Sequence, residues 1–246
     1  TMGPKELLEQ DCVISLSKMK THALERITGA VKNSYGFIYG FHKAKGHTQY
    51  PSADSFARML IDLNKCVAPK LYVMDGIVAM EGNGPGSGDP VPMNVLLMST
   101  DPVALDSVFS RLVYLKPEMV PTNYHGEKMG LGTWKEEEIT LLTPDGEISM
   151  AEAVKKYGNP AFNVDRTEVR KNIWTRMAGA LNIFQKKPYI EADKCVRCGI
   201  CVQSCPVPGK AVDFRKGKGK PPVYDYRKCI RCFCCQEMCP NTSIST

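Results

Sequence analysis

A cysteine pattern near the end of the chain limits what it can fold into. Nine of its eleven cysteines fall between Cys195 and Cys239. Two copies of one spacing stand there. The first reads Cys195-x2-Cys198-x2-Cys201-x3-Cys205-Pro206, and the second reads Cys229-x2-Cys232-x2-Cys235-x3-Cys239-Pro240 with Cys234 additional inside it. Three thiols two residues apart wrap one corner of a compact object, because a tight loop turns between successive side chains. The proline after each fourth cysteine ends any local helix and turns the chain away. The fourth thiol then lies too far along to close the same object.

This pattern resembles the bacterial ferredoxin run, in which cysteine thiolates hold 4Fe-4S cubanes and the fourth cysteine ligates the other cluster. The resemblance implies one cluster on Cys195, Cys198, Cys201 and Cys239, and a second on Cys229, Cys232, Cys235 and Cys205. A disulfide framework needs an oxidising compartment, and no secretory segment is visible. Zinc takes four ligands and leaves the third cysteine of each copy and the Cys-Pro endings without a role. Buried free thiols would not repeat with this period. Cys234 is left over and reads first as a small buried hydrophobe, with a spare thiol near the second cluster or an alternative ligand after rearrangement as the other readings. Val196, Ile200, Val202, Ile230, Phe233 and Met238 are expected to shield the clusters from water.

The chain has 246 residues, 43% apolar and 24% charged, the balance of a globular protein with room for a second domain. No apolar stretch reaches the length of a membrane span. The start, Thr1-Met-Gly-Pro4, lacks a basic n-region and an apolar h-region, so a cytoplasmic setting is expected. Oxygen-sensitive clusters point further to an anaerobe. Of the net charge of +6, residues 188–246 hold +5, from ten Lys/Arg and five Asp/Glu. Each oxidised cubane with its thiolates carries about −2, which nearly cancels that excess. The charge therefore balances clusters rather than nucleic acid. Lys216-Gly-Lys-Gly-Lys220 reads as a solvated hairpin tip, with docking of an acidic redox partner as its functional alternative.

Ahead of the cysteines, strands and helices alternate. Residues 12–17 read as a buried strand, Lys18 to His22 as a polar turn, and Thr21 as the cap of a helix running to about Tyr35. Ser52 caps an amphipathic helix carrying Phe56, Met59, Leu60 and Leu63. Leu71–Met74 and Val95–Met98 are short strands around a glycine-rich loop, Glu81 to Pro90. Thr100 or Asp101 caps a helix with Pro102 at its first position. Ile139–Leu142 is a possible last strand and Met150–Tyr157 a short helix. The fold class expected is α/β: a layered domain with a largely parallel sheet over residues 1–165, a connector over 166–187, and a small α+β ferredoxin-like iron-sulfur domain over 188–246.

Lys18, Lys20, His22, Asp75, Ser99 and Asp101 fall at strand ends, where open parallel sheets bind ligands in one shared cleft. Turn formers, helix caps and solvated charges account for most such positions taken singly. The Glu81–Pro90 loop reads as a cleft lining or a plain connector; as a phosphate cradle it matches neither common glycine pattern. Lys32, His22 and His47 are candidate catalytic residues, and His42 joins the histidines as a candidate for metal binding or proton shuttling.

The stretch Ile14-Ser-Leu-Ser-Lys-Met-Lys-Thr-His22, then Thr28-Gly-Ala-Val-Lys-Asn33, resembles the family called domain of unknown function 362. Asp75-Gly-Ile-Val-Ala-Met-Glu-Gly-Asn-Gly-Pro85 and Ser99-Thr-Asp-Pro-Val-Ala-Leu-Asp106 resemble its later motifs. The resemblance implies an iron-sulfur protein with a two-cluster module at its end, and a further N-terminal segment that adds strands to the same sheet. It supplies no settled reaction. Gly29-x2-Lys32 with His47 downstream is similar to the cofactor-holding segment of nickel-pincer lactate racemases, although the paired-glycine and Pro-Gly elements around the lysine differ here.

The function expected is electron transfer by two 4Fe-4S clusters, to or from a site in or docked to the α/β domain. Its partner would be a ferredoxin or a larger redox complex. Two alternatives stand beside it. One is a redox enzyme acting on a small anionic ligand held by Lys20, Lys32 and the glycine loop, with His22 or His47 moving protons. The other is a scaffold subunit.

Overall fold

A computed structural model describes residues 7, 9–38, 43, 46, 47, 49–168 and 187–245. Nearly all of the expected connector, 166–187, and His42 lie outside the described residues. The chain divides into two compact units, Thr1–Asp165 and Arg166–Thr246.

The first unit is layered α/β around a four-stranded sheet in the order β2-β1-β3-β4. These strands are β1 (Ile14–His22), β2 (Arg26–Thr28), β3 (Leu71–Glu81) and β4 (Asp89–Ser99). The sheet is mixed. β1 and β3 run parallel, while β1–β2 and β3–β4 are antiparallel. The parallel ladder is thus confined to one pair, because the glycine-rich loop turns β3 straight back into β4 as a hairpin instead of starting a crossover. Lys18 to His22 continue β1 rather than forming a turn. The chain then reverses at His22–Arg26, with Arg26 at φ 66°, into β2. The helix expected from Thr21 shrinks to α1 (Ala30–Asn33), extended by a 3-10 turn over Ser34–Phe37.

Alternation along β1 places Ser15, Ser17, Met19 and Thr21 inward, while Ile14 and Leu16 face out. The register sets Leu16 beside Val73 and Val73 beside Met98, so the outer face of the sheet carries an apolar row. The inner face packs Met19, Tyr72, Met74 and Val95 against α3 (Pro102–Leu112), chiefly through Leu105, Phe109 and Leu112. A second core joins Val31 and Tyr35 to Phe56, Leu60 and Ile61 of α2 (Ala53–Val67) and to Val103. Next come α4 (Pro121–Lys128), a separate hairpin of β5 (Leu141–Thr143) and β6 (Gly146–Ile148), and α5 (Met150–Tyr157). Helix starts follow their capping residues: Ser52 and Ser149 form capping boxes, and the Asp101 carboxylate accepts from Val103 and Ala104 N–H.

Two buried polar side chains bind these layers. Asn64 uses its full hydrogen-bonding capacity: Nδ2 donates to the Val31 and Leu60 carbonyls, and Oδ1 accepts from Ser34 and Tyr72 hydroxyls. Asp106 on α3 is fully buried and accepts from the Ala30 and Val31 N–H groups at 2.5 and 3.1 Å, capping α1 from another element. A Cβ at position 29 would collide with that carboxylate, so glycine is required there. Burial pushes the Asp106 carboxyl up to about 7, although the two N–H donors pull it down.

Asp106→Ala orphans both N–H groups and lowers the unfolding free energy by about 1–3 kcal/mol for each, read by denaturant titration. An acid whose folded pKa is raised stabilises fully below its unfolded value and loses that contribution as pH rises through the folded one. Wild type should therefore lose stability between pH 3.8 and about 7 relative to Asp106→Asn, and parallel pH profiles would contradict this.

Candidate functional site

The second unit is small and internally repeated. Among its described residues the strands form two antiparallel pairs, β7 (Tyr189–Ile190) with β10 (Ile244–Ser245) and β8 (Val212–Asp213) with β9 (Val223–Tyr224). Two short helices, α6 (Ile200–Gln203) and α7 (Cys234–Glu237), each begin just after the second cysteine of a copy. Tight loops need left-handed backbone, and the repeat supplies it at matched positions: Arg197 and Arg231, then Gly199 and Phe233. Phe233 takes this conformation despite its Cβ, and Gly199 faces the ring of Phe214.

These loops bring cysteines of the two copies together. Cys195, Cys198 and Cys201 line one cavity with Cys239 of the other copy, closed by Ile190, Pro222 and Ile244. Burial pushes the Cys201 thiol up to about 11, and the charges of Cys195, Cys198 and Cys239 add to that. At the second set, burial raises Cys229, with Cys232 and Cys205 acting in the same direction. Cys235 is pushed up to about 12, first by burial and then by Cys232 and Cys229. Ala211 N–H donates to Cys205 Sγ at 3.3 Å and the Tyr224 hydroxyl to Cys235 Sγ at 3.1 Å.

Such sets of thiols, ionising against burial and one another, fit a cationic iron core that would draw the protons off and hold thiolates. The cysteines surround a space rather than a point: among the described residues no three His, Cys, Asp or Glu side chains are grouped to hold a metal ion. Cys234 is buried, as expected of a small hydrophobe, and its thiol bonds to Cys232. Of the expected shielding residues, Phe233 is buried, while Val196 and Met238 are mostly exposed, although Val196 lines the first cavity. Lys216 to Lys220 form the exposed tip between β8 and β9.

In the α/β unit, His22, Lys32 and His47 are all buried. They lie close enough that the charges of Lys32, His47 and Lys20 all act on His22. His22 Nδ1 accepts from the Leu24 and Glu25 N–H groups, both at 3.1 Å, which puts the ring proton on Nε2. Burial, then those cations, holds its pKa well below the ordinary 6.5. His47 stacks on Phe56 at 4.5 Å, with Tyr35 edge-on to both rings.

Sequence reading missed Glu25, which joins this group through the turn between β1 and β2. It is completely buried, and neither carboxylate oxygen has a hydrogen-bond partner among the described residues. Burial raises its pKa well above 4.5, opposed by the charge of Lys32. The only signal was its position three residues beyond His22, ahead of a lysine whose charge it could meet. Asp54, half a step out, bonds His125 Nε2 at 2.8 Å.

The single shared cleft does not form. His22 and Glu81 end neighbouring parallel strands, but β4 runs the opposite way, so Ser99 and Asp101 lie at the far end of the sheet. Lys18 and Asp75 pair across the open face within the sheet. Lys20 Nζ donates to the Pro85 carbonyl and Thr21 Oγ1 to the Gly82 carbonyl, tying the glycine loop to β1. Gly82 and Gly84 N–H groups are spent on the Asn163 and Gly82 carbonyls, so these two do not cradle a phosphate.

Paired cysteine loops around a cavity, joined to an α/β unit, define an iron-sulfur protein of ferredoxin type. Residues 187–240 match the family model described as a 4Fe-4S dicluster domain, and residues 2–111 match the one described as Domain of unknown function (DUF362). The chain therefore joins a DUF362 domain to a C-terminal ferredoxin-like iron-sulfur domain. Over 128 residues it is 41% identical to Thylakoid-associated protein sll1697 of Synechocystis sp., covering 52% of this chain and 40% of that protein. No solved structure matches. No helix among the described residues is long and apolar enough to cross a membrane.

Histidine-selective NMR should show His22 neutral, with its proton on Nε2, as pH falls to 6.5 and below. A His22 ring that titrates at or above 6.5 would contradict the pocket described here.

Proposed function

We propose that the small unit holds two 4Fe-4S clusters and serves single-electron transfer with a redox partner, a ferredoxin or a larger redox complex. The observation that carries this is the cavity lined by Cys195, Cys198 and Cys201 of one copy and Cys239 of the other. Cys229, Cys232, Cys235 and Cys205 make the second ligand set by the same exchange. When bound, the clusters supply one-electron redox chemistry at potentials set by hydrogen bonds to sulfur, burial and local charge. The chain's own residues provide those controls. Ala211 N–H and the Tyr224 hydroxyl donate to ligand sulfurs, and buried Phe233 and Ile244 keep water away. The exposed lysines from Lys216 to Lys220 offer a surface to an acidic partner. The electrons go to or come from a site in, or docked to, the α/β domain. A cytoplasmic setting in an anaerobe is part of this reading.

A second reading is favoured by the buried polar cluster of the α/β unit. Lys32, buried beside His22, His47 and Glu25, is placed to hold a small anionic substrate. The Nε2–H of neutral His22 would then hydrogen-bond to it, and Glu25, kept protonated by burial, would donate a proton to it. Lys32→Ala should abolish turnover of such a substrate and leave the visible spectrum of the clusters intact. Unchanged turnover would remove the lysine from this role.

Anaerobically purified chain should carry about eight iron atoms and eight acid-labile sulfides. Cys198→Ala and Cys232→Ala should each lose about half of both. Stoichiometric zinc with little sulfide, under conditions that preserve clusters, would overturn the proposal.

A further inference from the structure

The cysteine repeat places an arginine at the same point of each copy, Cys195-Val-Arg197-Cys198 and Cys229-Ile-Arg231-Cys232. The two arginines share a backbone conformation, φ 58° and 56°. Their surroundings differ sharply. Arg197 is exposed and its Nη1 donates to the Gly219 carbonyl at 3.3 Å. Arg231 is only 6% exposed, and its Nε and Nη1 have no hydrogen-bond partner among the described residues.

A guanidinium stays charged at any pH a protein meets. Burying that charge without a partner costs several kcal/mol, so such a group calls for an anion beside it. Arg231 adjoins the second cysteine set: its backbone N–H bonds Cys229, and its charge acts on that thiol. The sulfurs of this set also take neutral donors. Cys205 accepts from Ala211 N–H, Cys235 from the Tyr224 hydroxyl, and Cys232 from the Cys234 thiol. At the first set Cys201 accepts from the Val202 N–H, and Cys239 shares a contact of 3.1 Å with the Ser243 hydroxyl, in which either atom can donate; a buried cation is what the second set adds. Positive charge and donors aimed at sulfur both favour the more negative, reduced state, and they act more strongly where water is excluded. An exposed arginine is screened and does little.

We propose that Arg231 is the built-in counter-charge of the cluster on Cys229, Cys232, Cys235 and Cys205. Its burial makes this cluster the higher-potential member of the pair. The inference rests on the two-cluster reading above. It gives the unit a direction: Arg231 and the sulfur donors hold an incoming electron at the second cysteine set, and the first set is the lower-potential way in or out.

The test is a potentiometric titration of the full chain, purified anaerobically and followed by electron paramagnetic resonance. Wild type should show two separate couples. Arg231→Gln should move the higher couple down towards the lower and leave the lower in place. Arg231→Lys should restore most of the separation, and Arg197→Gln should move neither couple. Coincident wild-type couples would overturn the proposal. So would an Arg231→Gln chain that keeps both clusters with unchanged potentials, or an equal shift from Arg197→Gln. Should Arg231→Gln fail to keep its second cluster, Cys198→Ala decides the matter. With the first cluster removed, the remaining couple should be the higher of the two, and finding the lower one overturns the proposal. A wild-type chain with iron and acid-labile sulfide for one cluster or none contradicts the two-cluster reading and this inference with it. Two couples indifferent to Arg231 contradict the inference alone.

Discussion

The small unit depends on an exchange between its two halves. Each cysteine loop bends three thiols around a corner, but the fourth wall of the first cavity is Cys239, contributed by the other copy after α7. Neither half encloses a site alone. The strands obey the same logic: β7 at the start of the unit pairs with β10 at its end, clasping the two copies together. Among the described residues, the strands are short, the helices have four residues, and the apolar core of the unit is built on Ala211, Val212, Ile244 and the cysteines, with Ile190, Val202, Val207 and Tyr224 packed against them. On the two-cluster reading, a domain this small would be held by what its thiols bind more than by burial, so cofactor and fold would stand or fall together.

The α/β unit solves a different problem, the placing of charge inside a layered core. Asp106 and Asn64 are buried and fully engaged, and they join α1, α2, α3 and the sheet into one body. His22, Glu25 and Lys32 are buried with a different balance. The histidine is kept neutral by its surroundings, the glutamate is pushed towards its protonated form, and the lysine lies beside both. Structural ion networks also perturb titrations, but a buried carboxyl without a hydrogen-bond partner among the described residues is costly unless something else visits it. This is the physical content of the second functional reading.

The cysteine repeat and the helix caps were legible because each is a local device. Spacing fixes which thiols share a loop, and Ser52, Asp101 and Ser149 satisfy N–H groups within the next turn. Strand direction was not legible, since it depends on whether Glu81 to Pro90 returns as a hairpin, and that return moves Ser99 and Asp101 away from His22. Lys18 to His22 looked like a turn because of their polarity, yet alternation hides Met19 and Thr21 while Lys18 pairs with Asp75 on the open face. Glu25 carried no pattern of its own, and the repeat that matches Arg231 with Arg197 does not tell the two apart. Their significance comes from burial, which a single sequence does not display.

The central claim is the exchanged ligation, and it is tested most directly by a crystal structure phased on anomalous scattering at the iron edge. Two compact iron sites per chain are predicted, one bonded to Cys195, Cys198, Cys201 and Cys239 and the other to Cys229, Cys232, Cys235 and Cys205. Iron joined to Cys195, Cys198, Cys201 and Cys205 of one copy, or a single site in the unit, would contradict the account.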